Sequence, residues 1–566
     1  MLDRTIRMLP LLPLLALAAC GGDGAPAAEA ADLILTNGRV VTVDEARPEG
    51  QAIAIKDGRV LAVGSVAEIA ARRGSSTEVI DLEGRLAIPG FIEGHAHYMG
   101  VGDAQIQLNL MDTESWEEIV SRVEEAVAAA QPGELIRGRG WHQEKWTHTP
   151  TGSVEGIPTH HTLSAISPDN PVILVHASGH AAFANAKAME LADVTRSTPD
   201  PMGGEVLKDA GGEPTGLFKE TAEDLLAPVY AAATPVDPRR PAALANQELV
   251  SKGITSFQDA GASPSTVDLY KSMIDAGELD VRLWVMLAGS NEELAEALPR
   301  YRTVGYGNDH LTVRAIKRYI DGALGSHGAW LLAPYTDLPS SSGLNTVPIA
   351  DLEETARLAA ANDYQLCIHA IGDRGNREVL DIFEQTFAAH PERSDWRWRI
   401  EHAQHLDPAD IPRFAELGVI ASMQGIHATS DAPFVPIRLG EQRAQDGAYV
   451  WQSLLKSGAV VMNGTDAPVE DVDPIANYYA TVSRRTKDGS VFYPEQRMSR
   501  LEALKSYTVW PAYGAFEEDV KGSLAPGKLG DVVVLSKDIL EVPEDEIPST
   551  RVVYTIIGGR VVYRAP

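Results

Sequence analysis

Residues 88–100 read IPGFIEGHAHYMG, and this stretch decides how the rest of the chain is interpreted. His95 and His97 follow a short apolar run, and residues two apart on a β-strand point to the same face. Two imidazoles that leave the end of one strand toward a common point are suited to binding a metal ion. An ordinary hydrogen-bonded histidine pair has the same spacing, so the remaining sequence must decide between these interpretations.

Eight apolar runs of strand-like length, the first of them containing Gly90 and Phe91, recur along the chain. They are Leu86–Ile92, Gly253–Phe257, Val281–Leu287, Leu311–Ile320, Tyr364–Ile368, Trp396–Ile400, Gly418–Met423 and Gly458–Met462. Most are separated by segments such as DLEETARLAAAND (351–363), in which apolar residues recur at helical spacing. Eight strands alternating with helices predict an α/β fold, a (β/α)8 TIM-type barrel, whose functional residues lie at the C-terminal ends of the strands.

The two ends of the chain share a second pattern, in which Gly-Arg stands between β-rich runs. It occurs in LILTNGRVVTV (33–43), AIAIKDGRVLAVG (52–64), VIDLEGRLAIPG (79–90) and VVYTIIGGRVVY (552–563). Asn-Gly, Asp-Gly and Gly-Gly pairs are suited to two-residue hairpin turns. We therefore expect residues 33–85 and 516–566 to form one small β-sandwich. The barrel would occupy residues 86–515, with an insert at 98–250.

The composition excludes some classes of partner. The 566-residue chain is 44% hydrophobic and 23% charged, which is ordinary for a globular protein, and its formal net charge is −30. Nucleic acids and anionic lipid surfaces are polyanions, so this acidic balance argues against both as partners.

The N-terminus has the pattern of an export signal. Arg4 and Arg7 precede the apolar run Met8–Ala19, which is too short to span a bilayer. The run ends in LAACG (17–21), which resembles a bacterial lipoprotein processing site with Cys20 as the lipidated residue. These features predict a signal peptide (1–19), a lipidated flexible tether (20–32) and a lipoprotein at the periplasmic face of the cell envelope, in contact with the membrane only through its lipid. An ordinary secretory signal cut after an alanine is the alternative.

Chemically active side chains also follow later strands. Lys317 is in the fourth run, His369 and His402 end the fifth and sixth, and Asp466 follows the eighth. In a barrel, these residues would converge with the first two histidines on one mouth. Imidazole suits Zn²⁺ and similar ions, and a carboxylate completes the coordination sphere or takes up a proton.

Five segments together resemble the amidohydrolase superfamily, most closely the family-3 branch with N-substituted formamide deformylase-like proteins. They are PGFIEGHAH, RAIKRYIDGALGS, CIHAIGDRGNREVLD, RIEHAQ and NGTDAPVEDVDP. The resemblance implies two divalent metal ions, with zinc expected. His95, His97 and Asp466 would hold one ion, His369 and His402 would hold the other, and a carbamate on Lys317 would bridge them.

The same resemblance implies a reaction. A metal-activated hydroxide would attack an amide, formamide or cyclic amide, a small-molecule substrate, and Asp466 would act catalytically by moving the proton to the leaving nitrogen. The chain departs from the family's D-x-H-x-H form, because Glu93 provides the leading acid. Lys219 in GLFKE is a rival for the bridging lysine.

Several other activities remain compatible with this scaffold. A single-metal N-acyl-amino-acid deacylase and a hydrolase of esters or lactones are the enzymatic alternatives. A non-catalytic envelope protein that binds a ligand is the alternative from another class, although ligand capture does not require Asp466. No G-x-S-x-G or P-loop motif occurs, which argues against serine and nucleotide hydrolases.

Residues of the insert and of the barrel loops are candidates for contact with the substrate. They are Trp141, His142, His180, His327 and Gln424. All of them except Gln424 have a structural alternative, as a cover of the barrel mouth or as a hydrogen-bonding residue of a loop. The sequence leaves the oligomeric state open, with a homodimer as one candidate.

Overall fold

A computed structural model describes residues 29–566 of the chain. The predicted signal peptide lies outside the described residues, as do residues 20–28 of the predicted tether, including Cys20. The first strand begins at Ala31, so residues 31 and 32 of the predicted tether belong to it. Within residues 29–566, no helix combines the length and the apolar composition that crossing a bilayer requires.

Eight parallel strands in chain order form the central sheet, and a short ninth strand, Thr303–Gly305, pairs antiparallel with the fourth of them. The eight parallel strands are β1 (Phe91–Ala96), β2 (Ile254–Ala262), β3 (Arg282–Leu287), β4 (Leu311–Tyr319), β5 (Gln365–Ala370), β6 (Arg399–His402), β7 (Ile420–Met423) and β8 (Val461–Asn463). The predicted alternation of eight strands with helices is confirmed. The first and last strands approach each other through the segment after β8, where the amide of Asp466 donates to the carbonyl of His95 (2.8 Å).

Amphipathic helices cover the outside of this sheet and alternate with its strands. The principal ones are Arg239–Ser251, Pro264–Asp275, Asn291–Tyr301, Ile349–Ala361, Asp373–Ala389, Ile411–Leu417, Trp451–Ser457, Pro474–Ser483, Arg500–Ser506 and Val509–Gly514. Local sequence determines where some of them begin. The Ser290 hydroxyl, for example, accepts a hydrogen bond from the Glu293 amide, and the Ser290 amide donates to the Glu293 carboxylate. This capping box begins the helix Asn291–Tyr301.

The first predicted strand, Leu86–Ile92, is divided between two sheets. Leu86–Pro89 pairs with terminal strands, whereas β1 begins at Phe91. Gly90 lies at the division, where a Cβ atom would clash with the Thr255 side chain. The predicted run is therefore two elements, and only the part from Phe91 onward joins the barrel sheet.

Two further sheets are built from strands near the two ends of the described chain. One joins, in spatial order, Arg59–Gly64, Ala52–Lys56, Ala31–Thr36 and Arg73–Asp81. The other joins Arg560–Arg564, Val552–Ile557, Val532–Leu535, Leu86–Pro89, Arg39–Val41 and Glu49–Gly50, and so contains strands from both chain ends. Leu33 and Ile53 of the first sheet share a buried apolar cluster with Val532 and Ile556 of the second.

A separate six-stranded sheet lies in the chain between β1 and β2. In spatial order its strands are Gly204–Lys208, Pro214–Glu220, Ala181–Ala184, Val172–His176, Ile136–Trp141 and Leu108–Asn109. Helices Trp116–Ala129, His161–Ile166, Ala186–Leu191 and Ala227–Ala232 belong to the same segment. Its core contains Trp116, Trp141 and Phe183, whose rings meet edge to face.

Candidate metal centre

The six predicted metal ligands lie together at the C-terminal end of the barrel strands. The pairing of adjacent strands places the ligand-bearing ends at similar heights. Ala370 of β5, next to His369, lies opposite His402 of β6, and Lys317 of β4 lies opposite Cys367 of β5. All of the six except His97 are buried. Links between neighbouring side chains join them into one cluster.

His95, His97 and Asp466 form the first part of this cluster. Asp466 Oδ1 lies 3.3 Å from Nε2 of His97 and 3.6 Å from Nε2 of His95. The strand geometry expected of an H-x-H pair is therefore present, and the carboxylate completes it from the segment after β8. Asp466 has a backbone φ of +57°, so its side chain is presented from a strained turn.

Histidines of β5 and β6 extend the cluster. The ring centroids of His95 and His402 are 4.7 Å apart, and those of His402 and His369 are 4.5 Å apart. His402 has a φ of +76°, which breaks the strand alternation. This local break allows His402 to join the cluster although the preceding residue, Glu401, also points into the barrel.

Glu401 determines the orientation of His95. Its carboxylate makes a short hydrogen bond with Nδ1 of His95 and is paired with the guanidinium of Arg399 (Nε to Oε1, 2.6 Å). All three side chains are fully buried. Because Nδ1 is occupied by Glu401, Nε2 of His95 remains for the cluster, as in carboxylate–histidine–metal arrangements.

Lys317 is buried next to the first histidine. Its Nζ lies 3.4 Å from Nε2 of His95 and 4.7 Å from the centroid of the Tyr319 ring. Lys219, the rival lysine, instead pairs with Glu155 (3.0 Å) and Glu205 (2.9 Å) in the insert. The structure therefore places Lys317, and not Lys219, beside the histidine cluster.

Burial and neighbouring charges set the protonation of the cluster. Burial, together with the charge of Lys317, lowers the pKa of His95 to about 4, and burial holds the pKa of His369 and His402 well below the usual range. Burial raises the pKa of Asp466, but His97 and the charges of His402 and His95 outweigh it and hold that pKa well below its usual value. Neutral imidazoles beside an ionised carboxylate are the protonation states that metal ligands require.

The donor atoms fit a divalent metal ion. Ligand atoms of His95, His97 and Asp466 lie within 4.8 Å of one another, and so do those of His402, His427 and Asp466. Asp466 Oδ1, His369 Nε2 and His427 Nε2 are buried without a hydrogen-bond partner. Buried polar atoms are normally satisfied, so unpaired donor atoms converging in one place indicate that the residues fit a cation.

The predicted substrate contacts have three different surroundings. His180 reaches the cluster from the insert, with its ring centroid 4.9 Å from that of His369. Gln424 is buried; its Oε1 bonds with Nδ1 of His402 (2.9 Å) and its Nε2 donates to the carbonyl of Ser422 (3.2 Å), so its polar atoms hold it against His402. His142 lies on the insert with its ring 4.5 Å from that of His176.

Trp141 and His327 line a cavity of about 580 Å³ between the insert and the loop after β4. The Trp141 indole also donates to the Leu174 carbonyl (2.8 Å) and belongs to the core of the insert. The metal-ligand candidates are not among the residues that line this cavity. Its wall contains Lys219, which is adjacent in sequence to Glu220, the hydrogen-bond partner of His180.

Glu401 and Glu220 were not predicted to belong to the centre, and His427 was not predicted as a metal ligand. Glu401 directly precedes His402 in RIEH, but the expected strand alternation places it on the opposite face from His402. His427 follows β7 inside the helix Gly425–Asp431. The Nδ1 atom of His427 accepts a hydrogen bond from Nε2 of Gln404 (3.1 Å). Glu220 lies in the insert, far along the chain from every barrel strand. No local pattern distinguishes these residues from structural ones.

A parallel eight-stranded barrel with a buried histidine and aspartate cluster at the C-terminal ends of its strands is the architecture of a metal-dependent hydrolase. The model of the amidohydrolase family, Amidohydro_3, matches residues 78–563. The chain belongs to this family.

Individual relatives match over nearly the whole chain. It is 34% identical to the protein LONG AFTER FAR-RED 3 of Arabidopsis thaliana, over 94% of this chain and 92% of that one. It is 27% identical to the N-substituted formamide deformylase of Arthrobacter pascens, over 94% and 98%. Among solved structures, an uncharacterized metal-dependent hydrolase from Pyrococcus horikoshii superposes with a TM-score of 0.72 and 27% identity, covering 91% of this chain and 99% of that one.

Proposed function

We propose that this protein is a metal-dependent hydrolase that cleaves a C–N bond in an amide, formamide or cyclic amide of small size. The observation that carries the proposal is the cluster of imidazoles around the buried Asp466 carboxylate at the barrel mouth. Membership of the amidohydrolase family and the similarity to a formamide deformylase support this bond type.

The proposed metal content is two divalent ions, with zinc as the expected metal. His95, His97 and Asp466 would hold one, His369 and His402 the other, and Lys317 would bridge them as a carbamate. A bound divalent ion supplies Lewis acidity, which polarises a carbonyl and lowers the pKa of water. The position of Lys317 Nζ, 3.4 Å from His95 Nε2, supports a bridging role for this residue. A carbamate on Lys317 would remove the positive charge of the free amine, which would otherwise repel a cation.

Within this proposal, Asp466 moves the proton. Its ionised carboxylate lies beside three histidines and has one oxygen, Oδ1, without a hydrogen bond. Such a carboxylate can accept a proton from the attacking water and deliver it to the leaving nitrogen. His180 is proposed to contact the substrate at the metal centre, and Trp141 and His327 to contact its distal part from the cavity.

Metal analysis combined with a substrate panel tests the proposal. Purified soluble protein should contain close to two equivalents of metal and hydrolyse members of a panel of N-formyl, N-acyl and cyclic amides. One equivalent would support a mononuclear site without a bridging Lys317. Absence of metal, or turnover of esters and lactones alone, would contradict the proposed function.

Asp466→Asn tests the proton-transfer role separately. The amide is isosteric and keeps one oxygen for a cation, so some metal should remain bound while turnover falls by about 10²–10⁴-fold, the range of general acid–base catalysis. Wild-type activity in Asp466→Asn would exclude the role.

We further propose that the two terminal sheets form one β-sandwich from residues 33–85 and 516–566, and that residues 98–250 are an insert in the barrel domain. The apolar cluster shared by the two sheets supports the sandwich. A proteolysis experiment under native conditions should leave the N- and C-terminal segments associated after cleavage between them. Their separation would contradict a shared sandwich.

The proposed location is the periplasmic face of a bacterial cell envelope, with a lipid on Cys20. The proposal depends on the sequence of residues 1–21. Cys20→Ser should release the protein from membranes. Continued membrane association of this variant would contradict the lipid anchor.

A further inference from the structure

The insert contributes a histidine–carboxylate pair to the edge of the metal centre. Nδ1 of His180 donates to Oε2 of Glu220 at 2.7 Å, and the backbone amide of Glu220 donates to the carbonyl of His180 at 3.0 Å. The two residues are therefore joined through both side chain and main chain, although 40 residues separate them in the chain. Neither belongs to the predicted set of metal ligands.

The orientation of His180 follows from this hydrogen bond. Because Nδ1 is bound to Glu220, Nε2 is the ring nitrogen that remains available to another group. The ring lies 4.9 Å from that of His369, with an interplanar angle of 46°. His180 is partly exposed, whereas Glu220 is almost completely buried behind it (side-chain exposures of 17% and 3%). The exposed member of the pair thus borders the site at which a substrate would react.

The position of Glu220 is unusually constrained. Its backbone has φ +51° and ψ −129°, a conformation that costs free energy for a residue with a side chain. Its Oε1 is buried without a hydrogen-bond partner. A Cβ atom at Gly322 or Gly328, in the loop after β4, would clash with the same carboxylate. Gly322 and Gly328 thus leave room for the Glu220 carboxylate, and the strained backbone of Glu220 places that carboxylate behind His180.

We propose that Glu220 is a positioning residue that holds His180 so that its Nε2 hydrogen-bonds the scissile amide. The inference rests on the proposed function and deepens it, because it assigns a substrate contact to the insert. Glu220 acts through His180 and does not itself touch the substrate. The glycine loop after β4 completes the arrangement by leaving room for the carboxylate.

A double-mutant cycle on the metal-loaded full chain tests the proposal. Glu220→Ala should lower kcat by about 10–100-fold, the usual effect of removing an outer partner of a site histidine, with KM and metal content little changed. Glu220→Gln should recover most of the loss, because its side-chain carbonyl accepts the same Nδ1–H. In a His180→Phe background, Glu220→Ala should cause no further loss, because the residue through which it acts is already gone.

Glu205→Ala is the matched control. Glu205 is a carboxylate of the same sheet that pairs with Lys219 (2.9 Å) and not with His180, so kcat should be unchanged. Gly328→Ala is an independent variant that keeps Glu220 but crowds its carboxylate with a new Cβ atom. It should reproduce the loss of kcat seen in Glu220→Ala.

The outcomes separate this proposal from the one on which it rests. A wild-type protein that hydrolyses amides, combined with additive effects of His180→Phe and Glu220→Ala, or with wild-type kcat in Glu220→Ala, overturns the positioning role alone. A wild-type protein that binds metal but hydrolyses no amide of the panel overturns the proposed function and this inference together.

Discussion

At the residue scale, the buried Arg399–Glu401–His95 chain shows how the orientation of a candidate metal ligand depends on the side chains behind it. A buried carboxylate is costly unless it is paired and hydrogen-bonded. Arg399 satisfies Glu401, and the charge of Arg399 together with His95 holds the pKa of Glu401 well below its usual range despite the opposing effect of burial. The carboxylate therefore stays ionised and fixes which nitrogen of His95 faces the cluster.

Glu401→Gln is predicted to weaken metal binding. The amide keeps the shape of the side chain but loses the charge that orients His95, so metal affinity should fall by about 10–100-fold. Competition with a chelator of known affinity measures the change.

Asp531→Asn is the matched control, because Asp531 forms a similar buried pair with Arg282 (2.8 Å) away from the cluster. It should lower the melting temperature without lowering metal affinity. Equal loss of affinity in both variants would contradict the orienting role of Glu401.

His405 provides a second prediction at this scale. It is buried with both ring nitrogens unpartnered, and burial lowers its pKa to about 3. The unfolded chain therefore takes up this proton first, near the ordinary value of about 6.5. The stability contributed by the neutral ring is present above that pH and is lost as the pH falls toward 3.

We therefore expect His405→Phe to remove one source of acid sensitivity. Between pH 7 and pH 5, the unfolding free energy of the wild type should fall by about 2 kcal/mol more than that of His405→Phe. Denaturant titrations of the metal-free proteins measure the difference. The same gap in His390→Phe, a variant at a partly exposed surface position, would contradict the assignment to burial.

At the element scale, the site depends on closure of the barrel between β1 and the segment after β8. The Thr465 amide donates to Glu93 Oε1 (2.5 Å), and the His97 amide donates to the Ala467 carbonyl (2.8 Å). These bonds bring the GHAH and NGTD segments together across the seam. The departure noted at the leading acid therefore has a structural role here, because Glu93 helps to hold the segment that contains Asp466.

Gly94→Ala is predicted to disturb this seam. A Cβ atom at residue 94 would clash with the backbone carbonyl of Asn463, which belongs to β8 and has little freedom to move. We expect a destabilisation of about 1–3 kcal/mol, typical of overpacking, together with weaker metal binding. Calorimetry and metal titration measure the two effects.

Gly211→Ala is the control for the loss of glycine itself, since the nearest atom there is an oxygen of the Asp209 side chain at 3.1 Å and not a backbone atom. Its stability and metal binding should match those of the wild type. If Gly94→Ala behaves in the same way, the seam is looser than its contacts indicate.

At the scale of the whole molecule, the candidate metal centre joins three separate parts of the chain. The barrel provides the cluster, the insert provides His180, and the segment after β8 provides Asp466. Metal bound only by the folded state should therefore stabilise the complete structure and not only one strand.

Removal of metal is accordingly predicted to lower the melting temperature. A ligand present at 100 times its dissociation constant adds about 2.7 kcal/mol to the unfolding free energy. Thermal unfolding with and without a chelator measures the effect, and His97→Ala should be less sensitive to the chelator than the wild type. Identical melting of chelated and metal-loaded wild type would contradict a shared metal centre.

Much of the architecture was predictable from local patterns. Eight apolar runs with helical segments between them specify alternating strands and helices, because side-chain periodicity reports directly on burial. The C-terminal ends of such strands also place His95, Lys317, His369 and His402 on one side of the barrel. The division of Leu86–Ile92 at Gly90 was not predictable, because its two halves pair with strands that are distant in the sequence.

What the sequence by itself determined is the barrel, its strand order and the side chains at its mouth. Only the tertiary structure decided which partners orient them. Glu401 contacts His95 across 306 positions, and Glu220 contacts His180 from a separate sheet. The physical reason is that periodicity encodes which face of an element is buried, whereas hydrogen bonds between distant elements depend on how those faces pack.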